Sequence, residues 1–75
     1  AYRQKALRCA MYLNDNGATR AAEVARSTDN SKARTLMAKD HYGWFRKVDR
    51  GVYDITKAGA AALIKYTDEV ARLSA

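Results

Sequence analysis

Residues 19–55, TRAAEVARSTDNSKARTLMAKDHYGWFRKVDRGVYDI, decide how this chain is read. The pattern predicts a short helix over 19–26, a tight turn over 27–30, a second helix over 31–39, and two short strands over 44–48 and 52–55. Thr19 is placed to cap the first of these helices, and Ala21, Ala22, Val24 and Ala25 give it small packing residues that let a neighbouring helix come close. Ser27, Thr28, Asp29 and Asn30 all form turns or caps, so a new helix must begin at the end of that run, with Thr28, Asp29 or Asn30 as its cap. Tyr42-Gly43 breaks the second helix, and Asp49-Arg50-Gly51 makes a credible hairpin loop in which Gly51 takes the positive φ.

On a helical wheel, with about 100° per residue, Ala33, Leu36 and Met37 of the second helix gather on one side. Ser31, Thr35 and Ala38 lie opposite, flanked by Arg34 on one edge and by Lys32 and Lys39 on the other. Small residues mixed with long cations allow close approach to base edges while the cations reach phosphate or guanine. Arg46, Lys47 and Arg50 put further cations on or beside the hairpin loop. A hairpin of two strands is not stable alone, so Trp44, Phe45, Val48, Tyr53 and Ile55 must include the residues that pin it to the helices.

Outward from that centre, Leu7, Ala10, Met11 and Asn14 share one face of an amphipathic first helix, widened by Ala6 and Leu13. Asn16-Gly17 ends it. Thr56 is the expected N-cap of a last helix running over 57–73, whose inward stripe would be Ala60, Leu63, Ile64, Thr67, Val70 and Ala71. At about 1.5 Å per residue such a helix outruns a core this small. Its second half, with Tyr66, Val70 and Leu73, is therefore expected to pack on a second copy or a neighbouring domain.

With 75 residues the chain is expected to be one domain over 1–75, and its opening on Ala1 suggests a module cut from a longer protein. The net charge of +6 is unevenly spread: residues 1–53 hold 11 Lys/Arg against 5 acids, and residues 54–75 hold 3 of each. A basic excess confined to the helices and hairpin is what a phosphate-facing surface needs. No apolar run approaches a membrane span. A single cysteine, Cys9, and a single histidine, His41, cannot build a disulfide framework or a zinc site within one chain, and they fit a cytoplasmic setting. Cys9 falls on the helical stripe as a passive thiol.

From Tyr42 to Gly59 (YGWFRKVDRGVYDITKAG) the sequence resembles bacterial winged helix-turn-helix domains, in which an aromatic strand, a Gly-containing turn, a Tyr-x-Leu-Thr strand end and an x-Ala-Gly helix start recur. Ile55 stands where that pattern has Leu. Over residues 42–56 it is also similar to the C-terminal winged helix of uncharacterised bacterial proteins whose N-terminal part is restriction-endonuclease-like. The resemblance implies a mainly α fold with a small β-hairpin: a three-helix core, a two-stranded wing and a long C-terminal helix. It further implies a helix over about 31–39 in the major groove of double-stranded DNA, and a wing over 46–51 on the backbone or minor groove. Ser31, Arg34, Thr35 and Ala38 would then read bases, with Lys32, Lys39, Arg46, Lys47 and Arg50 on phosphates.

The leading expectation is a DNA-binding module, either a transcriptional regulator or the targeting domain of a larger DNA-acting protein. The alternative is a winged helix that binds protein or dimerises through its last helix without touching DNA. Paired carboxylates, a phosphate-cradling loop and a nucleophile-base pair are missing from the residues, so the sequence is expected to be non-enzymatic, with no metal and no cofactor. Lys5, Asp15 and Glu23 read as solvated surface.

Overall fold

A computed structural model describes residues 2–74. Helix α1 spans Tyr2–Asn16 and buries Ala6, Leu7, Cys9, Ala10 and Leu13 along one stripe. Met11 is only half-buried and Asn14 is exposed, so the stripe is rotated slightly from the expected one. Gly17, at φ 78°, turns the chain away, and its N–H bonds the Leu13 carbonyl at 2.7 Å.

Thr19 and Arg20 are not helical; they form a short strand, β1 (Thr19–Arg20), and helix α2 is Ala21–Ser27. Thr19 does not cap α2, because its hydroxyl donates to the Gly17 carbonyl at 2.8 Å and the N-cap position belongs to Arg20. Pairing with a distant strand overrides the local capping signal here. Thr19 lies opposite Tyr53, Arg20 lies opposite Val52, and the Ala21 N–H reaches the Gly51 carbonyl at 2.8 Å.

The 27–30 turn is built differently at each residue. Thr28 closes α2, its hydroxyl donating to the Val24 carbonyl at 2.7 Å. Asp29 takes a left-handed φ of 53°, and the Asn30 side-chain oxygen accepts the Lys32 N–H at 3.1 Å. Helix α3 is Ala33–Lys39, two residues shorter at its start than expected, since Ser31 and Lys32 still belong to the turn. Ala33, Leu36 and Met37 are buried, as the wheel requires.

Strands β2 (Phe45–Asp49) and β3 (Val52–Ile55) form the hairpin, with Gly51 at φ 66° in its loop. Because β1 joins the far edge of β3, the sheet has 3 antiparallel strands in the order β1-β3-β2, not the 2 of a bare hairpin. Trp44, Phe45 and Tyr53 enter the core and Ile55 packs partly against it; Val48 is exposed at a register shift between Lys47 and Asp49 and pins nothing. Asp40 ties α3 to this sheet. At φ 49° it closes the helix, and its carboxylate accepts the N–H groups of Trp44 at 2.7 Å and Phe45 at 3.2 Å.

Thr56 caps the next helix as expected, accepting the Gly59 N–H at 3.1 Å. The single long helix does not form. Helix α4 (Lys57–Lys65) stops at Tyr66, and α5 (Thr67–Ser74) starts in a new direction. The Thr67 hydroxyl bonds the Ile64 carbonyl, and Asp68 and Glu69 fill the first turn of α5, where carboxylates suit the helix dipole. The bend lays α5 back on α1: Glu69 is buried and meets Arg3 at 3.0 Å, and Tyr66, Val70 and Leu73 pack partly against the chain's own core. Tyr66, Val70 and Leu73, expected on a second copy or a neighbouring domain, are thus partly covered within the chain itself. Ile64, expected inside, is 77% exposed, and Thr67 and Ala71 are exposed as well.

The fold is thus mainly α with a small antiparallel sheet, and among the described residues no helix is long and apolar enough to cross a membrane. Cys9 is fully buried, and burial pushes its thiol pKa up. The folded thiol keeps its proton where the unfolded one loses it. Stability should therefore fall as pH rises past the ordinary thiol range of about 8.5, and Cys9→Ala should remove that slope in urea titrations. A disulfide reagent is expected to label Cys9 only at the rate of unfolding.

Candidate nucleic-acid interface

The turn and α3 set the geometry of the charged face. With Ala33, Leu36 and Met37 anchored inward, Ser31, Lys32, Arg34, Thr35, Ala38 and Lys39 are all exposed. This array is held at three places: by the Asn30 bond to Lys32 at its start, by Asp40 at its end, and by its own buried stripe between them. A helix fixed this way presents side chains without backbone slack.

The two edges of α3 look onto different neighbours. On one edge Arg34 reaches the hairpin loop, where a methyl placed on Gly51 would come within 3.2 Å of its Nη2. On the other, Lys32 and Lys39 border a groove shared with Tyr2 and Lys5 of α1 and with His41.

The hairpin cations divide as well. In β2 side chains alternate between faces, so Lys47 shares the side of Phe45 and Tyr53, next to α3, while Arg46 lies on the opposite side. There Arg46 faces Asp54, with its Nη2 4.0 Å from the carboxylate. Arg50 is exposed in the loop. Of the residues expected to meet DNA, Ser31, Lys32, Arg34, Thr35, Ala38, Lys39, Lys47 and Arg50 are thus brought to neighbouring surface on α3 and the hairpin, whereas Arg46 is turned aside. Arg26, on α2, is engaged within its own helix: with Ser27 it hydrogen-bonds Glu23 and holds that carboxylate below the usual range.

Sequence reasoning missed two contributors. Asp40 was passed over because its role depends on two amides supplied by the following strand. Lys5, read as solvated surface, lines the groove beside α3. No local signal in the sequence tells which α1 residue will face that helix.

Residues 1–62 match the family described as "Putative PD-(D/E)XK phosphodiesterase (DUF2161)". No curated protein and no solved structure matches the chain. The family match overturns the expectation of a chain without an enzymatic role, since the family is named for phosphodiester chemistry. It agrees with the restriction-endonuclease-like resemblance carried by residues 42–56. The name spells an acidic residue, any residue and a lysine; the 75 residues contain no such triplet and no proline, and Asp54-Ile55-Thr56-Lys57 is one residue too long. Among the described residues, no 3 His, Cys, Asp or Glu side chains lie together where they could hold a metal ion. The groups present do not fit a metal-dependent hydrolytic centre, and no cleavage step is assigned to them.

Proposed function

The chain belongs to this PD-(D/E)XK phosphodiesterase-like family, and on that premise we propose that it is the family's DNA-docking unit: a single winged helix-turn-helix domain that seats duplex DNA for the phosphodiester chemistry. Helix α3 enters the major groove, with Ser31, Arg34, Thr35 and Ala38 toward base edges. Lys32, Lys39, Lys47 and Arg50 meet phosphates, and the β2–β3 hairpin lies on the backbone or in the minor groove. The family name favours a targeting role over transcriptional regulation, because a phosphodiesterase needs its nucleic acid held in place. One observation carries the reading: a helix whose apolar stripe of Ala33, Leu36 and Met37 is turned inward offers small residues and cations outward, beside a cationic hairpin.

Fluorescence anisotropy on blunt duplex across a salt series tests this directly. With about four to six phosphates neutralised, log K should fall against log salt with a slope of roughly −4 to −5. Lys47→Ala should weaken all sequences alike and reduce that slope by about one. Arg46→Ala should do less, because its guanidinium already faces Asp54. Failure to bind any duplex at about 100 mM salt, or a salt-independent affinity, would sink the proposal.

A further inference from the structure

The groove on the far edge of α3 does not have the make-up of a simple phosphate track. It holds about 250 Å³ between the first turns of α1 and the edge of α3, and its lining includes Tyr2, Lys5, Lys32, Leu36, Lys39 and His41. Three ammonium groups border it, two of them (Lys32 and Lys39) shared with the duplex-facing side, and among the described residues no carboxylate lines it. Beside these cations the lining holds Leu36, the rings of Tyr2 and His41, and the polar Asn30 and Thr35. Tyr2 and His41 meet edge to face with ring centroids 4.9 Å apart, and Tyr42 lies 5.7 Å from Tyr2. Tyr42, outside the lining itself, is stacked on Trp44 at 4.3 Å and 18° and is 44% exposed.

Phosphates of a duplex need cations and gain nothing from rings. Rings flanked by cations suit an unpaired nucleotide, which offers a free π-face and a phosphate within one short span. Bases inside a duplex are stacked on each other and cannot use such rings. The place in the fold fits as well: Arg34 and the hairpin occupy one flank of α3, and this groove occupies the opposite flank. We propose that the groove takes an unpaired nucleotide of a single-stranded extension running from a duplex seated on α3, so that the protein recognises a duplex/single-strand junction. This rests on the duplex reading above.

The test compares a blunt duplex, the same duplex with a short 3′ or 5′ single-stranded extension, the same extension built of abasic sugar-phosphate, and the free single strand. One stacked base should make the extended duplex of one polarity bind about tenfold tighter than the blunt one. The abasic extension should lose most of that gain. In the double variant Lys5→Ala/His41→Ala, whose side chains are exposed and line the groove away from the hairpin side of α3, the gain should vanish while most of the blunt-duplex affinity is kept. The proposal is overturned if neither polarity binds tighter than blunt duplex, if the abasic extension does as well as the natural one, or if the gain survives in the variant. A blunt duplex that fails to bind beside a single strand that binds, and is lost in the variant, removes the duplex reading and keeps the groove. If nothing binds, both fall.

Discussion

Gly59→Ala should lower stability by about 3 kcal/mol, at the upper end for forcing one extra carbon into a packed site. In a domain of this size that amounts to roughly 15 °C in melting temperature. The sign is what makes the prediction sharp. In an open helix interior the same change stabilises by about 1 kcal/mol, because alanine is the better helix former. Here the added Cβ would fall 2.5 Å from the Trp44 carbonyl oxygen and 3.3 Å from the Ile55 Cβ. The Trp44 oxygen cannot swing away, since it is backbone and accepts the Thr56 N–H at 2.8 Å. Backing α4 off instead would break the cap in which Thr56 accepts from Gly59 and donates to the Gly43 carbonyl at 2.7 Å. Thermal unfolding followed by circular dichroism decides it. An unchanged or raised midpoint would mean that α4 does not pack this closely on the entry to β2.

Gly59 also marks how far the sequence could be read. Its place in an x-Ala-Gly helix start was visible as a pattern, but the reason for it, a carbonyl from a residue 15 positions earlier in the chain, exists only once β2 and α4 are in place. Features fixed by neighbours in the chain were legible: the α1 stripe, the Gly51 turn, the Thr56 cap, and the division of α3 into an apolar and a charged side. Features fixed by distant partners were not. Thr19 looked like a cap until Tyr53 supplied a strand to pair with. The segment 57–73 looked like one helix because each half is a good helix former; its bend is imposed by Thr67 locally and by Arg3 drawing in Glu69 from α1. The candidate interface follows the same rule. The outward set on α3 could be listed from the wheel, whereas the turning aside of Arg46 needed the cross-strand register that sets it against Asp54. The enzymatic family was legible only through the restriction-endonuclease-like resemblance of residues 42–56, since the acidic-x-lysine signature in its name does not occur in these residues.

Under the proposed function, Arg34→Ala should cost about 1–3 kcal/mol on the preferred duplex, or about ten- to a hundredfold in affinity, and should flatten discrimination between sequences. Three other arginines lie against carboxylates: Arg3 with Glu69, Arg26 with Glu23 and, at 4.0 Å, Arg46 with Asp54. Among the described residues no carboxylate pairs with Arg34. Its guanidinium rests against the Gly51 loop, so part of the entropy of fixing a long side chain is lost before DNA arrives. Arg34→Lys separates charge from shape. A lysine keeps the positive charge but lacks the planar fork that grips the guanine O6 and N7 edge, so the salt slope should stay while sequence preference falls. Lys47→Ala should do the reverse, lowering the slope and leaving preference intact. Binding measured on a duplex selected from random pools and on a scrambled duplex, with all three variants, resolves the two roles. If Arg34→Ala and Lys47→Ala lose equally on both duplexes, α3 is bound through charge alone and does not read bases.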